Sequence, residues 1–88
     1  MEKTIKILIV EDSPTQAEKL CFLLEEEGYI VEKAENGKKA LNALDIFAPD
    51  IIISDVLMPE MDGYEFCNKV KCNKKWKKTP VILLTSLS

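Results

Sequence analysis

Short apolar runs alternate along this chain with longer segments in which apolar residues recur every three or four positions. The first run, Ile5–Val10, is dense in Ile, Leu and Val, the pattern of a strand covered on both faces in a parallel sheet. A helix is predicted to follow. Ser13 is its N-cap candidate, Pro14 suits the first helical position, and Gln16 completes an S-x-x-Q capping box. Ala17, Leu20, Cys21 and Leu24 form its buried stripe, and Gly28 can take the left-handed conformation that ends it.

Tyr29–Ala34 reads as a second strand whose charges suit a sheet edge. Asn36-Gly37 is a turn signal. Lys38–Phe47 follows as an amphipathic helix with Ala40, Leu41, Leu44 and Phe47 inward, stopped by Pro49. Asp50–Asp55 is the third strand. Asp62 is predicted to cap a third helix with Glu65 as its capping partner, and Phe66, Cys67 and Val70 give that helix its apolar side. The lysine-rich Lys71–Pro80 reads as a solvated loop, with Trp76 covering the third helix. Val81–Thr85 is the fourth strand. The order β-α-β-α-β-α-β predicts an α/β fold with an open, parallel, doubly wound sheet.

Composition narrows the function classes. The chain has 88 residues, 47% hydrophobic and 31% charged, which suits one soluble globular domain spanning 1–88. Its net charge is −3, and all twelve basic residues are lysines. That is a poor match to nucleic-acid binding. The absence of histidine removes imidazole acid–base chemistry and most transition-metal sites. Cys21, Cys67 and Cys72 have neither disulfide-framework nor zinc-site spacing, and free thiols suit a reducing, cytoplasmic location. No stretch has the length of a membrane span.

The candidate chemistry lies at strand ends. In open parallel sheets, ligands bind beyond the carboxyl ends of the strands. Glu11 and Asp12 follow the first strand, and Asp55 ends the third. If these strands are neighbours, three carboxylates converge. Two like charges about 4 Å apart repel by roughly 4 kcal/mol at an effective dielectric of about 20, so a cation is expected among them. An oxygen-only donor set suits a hard ion, and Mg²⁺ fits best. A metal beside an exposed Asp favours attack of that carboxylate on phosphorus. The bland alternative for Glu11 and Asp12 is helix capping; for Thr85 it is simple strand propensity.

The stretches LIVEDS, PDIIISDVLMPEMDG and TPVILLTS, with their mutual spacing, resemble the receiver domain of two-component response regulators. The resemblance implies a flavodoxin-like sheet of order 2-1-3-4. It implies that Asp55 accepts phosphate from a sensor histidine kinase, a phosphotransfer protein or a small phosphodonor. Asp12 and Asp55 would ligate Mg²⁺, with Glu11 orienting its water and the Leu57 backbone carbonyl as a further ligand. Thr85 would turn inward to bond a phosphoryl oxygen, and Met58-Pro59 and Gly63 would shape the loop after the acceptor.

The family pattern continues into a fourth helix, a fifth strand with a phosphoryl-pairing lysine, and a fifth helix. None of these is matched, so a C-terminally truncated domain is expected. The alternative reading is a non-switching fragment that binds Mg²⁺ and self-associates through an exposed strand 4. A phosphohydrolase of the haloacid dehalogenase kind, the third reading, wants a second acid two residues after the nucleophile, and position 57 is Leu.

Overall fold

A computed structural model of the chain describes residues 3–85. The elements are β1 (Lys6–Val10), α1 (Pro14–Glu26), β2 (Ile30–Ala34), α2 (Gly37–Phe47), β3 (Ile51–Asp55), α3 (Gly63–Lys71) and β4 (Val81–Leu84). The four strands are parallel in the order β2-β1-β3-β4, as expected.

Local chemistry sets the helix ends. Ser13, Asn36 and Asp62 each accept the backbone N–H three residues on, from Gln16, Lys39 and Glu65 respectively. The capping box expected at α1 is changed in one respect. The Ser13 N–H goes to Glu11 Oε2 (3.3 Å), not to Gln16, because Glu11 lies on the same turn and carries the charge. At the other end of α1, Gly28 takes φ +94, its N–H reaches the Glu25 carbonyl, and the Tyr29 N–H reaches that of Leu24. These two bonds satisfy carbonyls that the helix end would leave orphaned. Helix α2 instead ends on a left-handed Ala48 (φ 53), immediately before Pro49.

Alternation along the strands divides the core into two layers. Leu8, Val10, Ala34 and Ile52 face α2 and α3, where Ala40, Leu44, Phe66, Val70 and Trp76 meet them. Ile7 and Ile9 face Cys21 on α1, with Leu20, Leu24, Val31, Ile51 and Ile53 packed around them. On that second face, cover runs out toward β4: Ile82 is 47% exposed and Leu84 44% exposed.

β4 ends at Leu84, one residue short of the expected Thr85. The β3–β4 ladder closes with Asp55 opposite Leu84, so no residue of β3 remains to pair with Thr85.

Candidate phosphoacceptor and metal centre

β3 lies between β1 and β4, and its side chains at Ile52 and Ser54 are fully buried. Asp55 is thus carried at the end of a strand with hydrogen-bonded neighbours on both sides. The ladder extends one step past it, where the Val56 N–H donates to the Leu84 carbonyl (3.0 Å).

The chain then turns back sharply. The Met61 N–H donates to the Pro59 carbonyl and the Gly63 N–H to that of Val56, both at 2.8 Å, while Glu60 takes a left-handed φ of 70. Residue 63 must be glycine: a Cβ there would lie 2.5 Å from the Asp55 carbonyl oxygen and 2.9 Å from Val56 Cα. Met58 is buried in the core and anchors the loop. Leu57 points outward at 68% exposure, and its carbonyl is not one of those the turn uses.

Register brings the second acidic group to the same place. Val10 pairs with Ser54, so Glu11 comes one step beyond β1 and opposite Asp55. The Glu11 N–H holds the Ala34 carbonyl at 3.0 Å, which fixes the turn into α1. One carboxylate oxygen each from Glu11, Asp12 and Asp55 lies within 4.8 Å of the others. Glu11 and Asp55 are half-buried, and Asp12 is exposed. Burial pushes the Glu11 carboxyl above its ordinary value; the Ser13 N–H opposes this, and the neighbouring Asp12 and Asp55 add to the rise. Three oxygen donors that repel one another, with no nitrogen or sulfur ligand beside them among the described residues, fit a hard divalent cation such as Mg²⁺.

A groove of about 740 Å³ opens beside this cluster, between α1 and the thinly covered side of the sheet. Glu11, Asp12, Asp55, Leu57 and Thr85 all line it. Every site residue expected from the sequence therefore borders one space. Thr85 does so as an exposed residue just after β4.

Three contributors lie outside the set expected from the sequence. Gln16 and Lys19, on α1, line the same groove with Leu20 and Leu23. Their spacing places them on one helical face, a signal the sequence did contain. Met61 is the third: it packs where a Cβ on Gly37 would stand, 2.7 Å from its sulfur, and ties the loop after Asp55 to the start of α2. No sequence pattern announces that contact.

The profile of the response regulator receiver domain matches residues 7–88. The chain belongs to this family. It is 56% identical, with a TM-score of 0.90, to the signal receiver domain of a signal transduction histidine kinase from Syntrophus aciditrophicus, over 97% of this chain and 64% of that one. Against the chemotaxis response regulator CheY4 of Vibrio cholerae it is 37% identical with a TM-score of 0.90, over 98% of this chain and 72% of that one. The response regulator Rre1 of Synechocystis is 34% identical over 87 residues, 98% of this chain and 38% of that one. The chain spans 32% to 61% of the length of three curated relatives that it matches. As a receiver domain it falls within two-component signalling. None of the described helices is long and apolar enough to cross a membrane.

Proposed function

We propose that this receiver domain accepts a phosphoryl group on a carboxylate oxygen of Asp55. The observation that carries the reading is the approach of Glu11 and Asp12 to within 4.8 Å of Asp55 at the end of a strand that cannot retreat. A carboxylate oxygen of Asp55 forms the new O–P bond. The bond from phosphorus to the donor breaks, and its electron pair leaves with the donor, an imidazole nitrogen where the donor is a phosphohistidine. These 88 residues hold no histidine, so the phosphohistidine lies outside them, on a sensor-kinase or phosphotransfer domain.

Asp12 and Asp55 would hold Mg²⁺ directly, Glu11 would orient its water, and the Leu57 carbonyl would be a further donor. When bound, the ion neutralises charge on the phosphoryl oxygens. Thr85, on the border of the same groove, would donate its hydroxyl to one of those oxygens. We place the reaction in the cytoplasm, where the free thiols of Cys21, Cys67 and Cys72 stay reduced.

The test is to incubate the chain with a small phosphodonor and Mg²⁺ and read intact mass. The expected result is one phosphoryl adduct, abolished by Asp55→Asn and diminished by Asp12→Asn. An adduct that persists in Asp55→Asn, or none on the unmodified chain, refutes the assignment.

A second observation supports self-association of the chain. Among the described residues, the outer edge of β4 pairs with no strand, and Ile82 and Leu84 beside it are nearly half exposed. Such an edge pairs readily with its copy. Sedimentation should show concentration-dependent dimers that Ile82→Lys suppresses, and a monomer at all concentrations would rule this out.

A further inference from the structure

Charge is segregated along this chain. Residues 1–65 carry six lysines and fifteen carboxylates, whereas residues 66–88 carry six lysines and no carboxylate. All six of the latter lie between Lys69 and Lys78, at the end of α3 and in the turn that leads to β4. Because the strands are parallel, that turn is at the amino-terminal rim of the sheet, opposite Glu11, Asp12 and Asp55.

The lysine turn is built, not merely solvated. A free segment so rich in one charge would repel itself and extend. Here Trp76 is buried to 7% exposure in the core beneath α2 and α3, and its Nε1 donates to Asp45 Oδ1 at 3.2 Å. The Trp76 N–H reaches the Asn73 carbonyl and the Thr79 N–H reaches that of Trp76, at 3.0 and 2.9 Å. Asn73 Oδ1 accepts the Lys75 N–H at 2.9 Å. Two lysines serve the architecture. Lys71 Nζ donates to the Lys77 and Thr79 carbonyls, and Lys75 pairs with Asp45 at 3.3 Å while lying over the Trp76 ring. The other four, Lys69, Lys74, Lys77 and Lys78, are exposed and form no ion pair among the described residues.

We propose that Lys69, Lys74, Lys77 and Lys78 form a docking surface for a short acidic segment of a protein partner. The fixed turn holds like charges together before any ligand arrives, so less ordering cost falls on binding. The chemistry favours a short acidic peptide over other polyanions. There is no arginine in the chain to grip phosphate bidentately. The rings within the lysine-rich segment, Phe66 and Trp76, are buried and the Trp76 N–H is taken, so the turn itself offers no ring for base stacking. The rest of the chain has nine more carboxylates than lysines and repels any polyanion long enough to reach past the turn. A partner seated here leaves the phosphoacceptor rim open at the far end.

Trp76 is the chain's one tryptophan and lies in the same turn as Lys74, Lys77 and Lys78, so its fluorescence reports occupancy. The probe is a synthetic Glu/Ser peptide, titrated into the 88-residue chain at physiological salt. Saturable binding is expected. Reversal of Lys74, Lys77 and Lys78 together to Glu should weaken it at least about tenfold, as loss of three exposed ion pairs implies. Lys38→Glu, an exposed lysine on α2, should leave it unchanged. If the triple reversal melts at a lower temperature than the parent, the Lys→Gln triple carries the comparison. Absence of saturable binding, equal weakening by Lys38→Glu, or tighter binding of a short DNA duplex or of phosphatidylserine vesicles would overturn the proposal.

Discussion

Asp55→Asn should make the metal-free protein more stable, even though it removes the proposed nucleophile. The substitution is nearly isosteric and deletes one of three converging charges. At a separation of 4.8 Å each remaining neighbour repels Asp55 by about 3.5 kcal/mol at an effective dielectric of about 20, and by about 0.9 kcal/mol in bulk water. Asp12 is exposed and Glu11 half-buried, so the true environment lies toward the wetter limit. Little is forfeited in exchange. Hydrogen bonds at this rim go to Glu11 Oε2 and to the Asp55 backbone carbonyl, and none reaches the Asp55 carboxylate among the described residues. A gain of about 1–3 kcal/mol is therefore expected.

The assay is urea unfolding, followed by Trp76 fluorescence and far-UV circular dichroism, with a chelator and again with Mg²⁺. In chelator the variant's midpoint should rise with an unchanged slope. With Mg²⁺ in tenfold excess over its dissociation constant, the parent gains about 1.4 kcal/mol and the variant much less, so the gap narrows or reverses. Asp12→Asn should show a smaller gain in chelator, because its charge is better solvated. A variant no more stable than its parent in chelator, at equal slope, would refute the idea that the fold holds these charges against their repulsion.

Three further outcomes follow from the geometry. Gly63→Ala should cost about 1–3 kcal/mol in urea and lower phosphoryl-adduct yield, since the new methyl meets unyielding backbone at Asp55 and Val56; Gly37→Ala should stay within about 1 kcal/mol of the parent, because the Met61 side chain it meets can swing aside. Trp76→Ala should destabilise by about 3–5 kcal/mol, the range for emptying a large buried aromatic site, and an effect below about 1 kcal/mol would show that the indole does not close the core. Lys3→Met tests a pH effect whose sign is fixed: the Lys3 ammonium, then the Lys6 N–H, holds the Asp50 carboxyl below its ordinary value. The ionised form is therefore favoured in the folded state, so Asp50 adds stability above its unfolded value that is lost as pH falls through the lower folded one. Both partners are partly solvated, so Lys3→Met should cost under about 1 kcal/mol at neutral pH and nothing once Asp50 is protonated, read from urea midpoints along the acid limb.

What could be read from the sequence was local or periodic. Ser13 and Asp62 cap their helices through bonds spanning three residues, and the stripe Ala17, Leu20, Cys21, Leu24 needs only helical spacing, whereas Asn36, read as a turn residue, is a third cap. Asp55 was legible for the same reason, since an apolar run that stops at an acid marks a strand end. The position of Thr85 was less so. Where β4 stops depends on where β3 stops, which is a matter of register between segments about thirty residues apart. Trp76 shows the limit clearly. Its lysine neighbours are solvated as their charges suggest, yet the indole between them is buried. Only the packing of α2 against α3 creates the space it fills, and the Asp45 carboxylate that receives its N–H is 31 positions away. The contact of Met61 with Gly37 is hidden in the same way.

The arrangement also decides how the three carboxylates can relieve one another. Backbone retreat is closed to them: the Glu11 N–H is tied to Ala34, the Val56 N–H to Leu84, and Gly63 is pressed against the Asp55 carbonyl. Asp12 is exposed and can rotate toward water. Glu11 has a longer side chain, and burial holds its carboxyl above its ordinary value. Asp55 has a side chain as short as that of Asp12, on a backbone held between two neighbouring strands, and is left facing the groove that Thr85, Gln16 and Lys19 also border. The group with the fewest ways to escape its neighbours is the one placed to meet an incoming electrophile, and the rigidity that makes the cluster costly is what keeps that nucleophile in position.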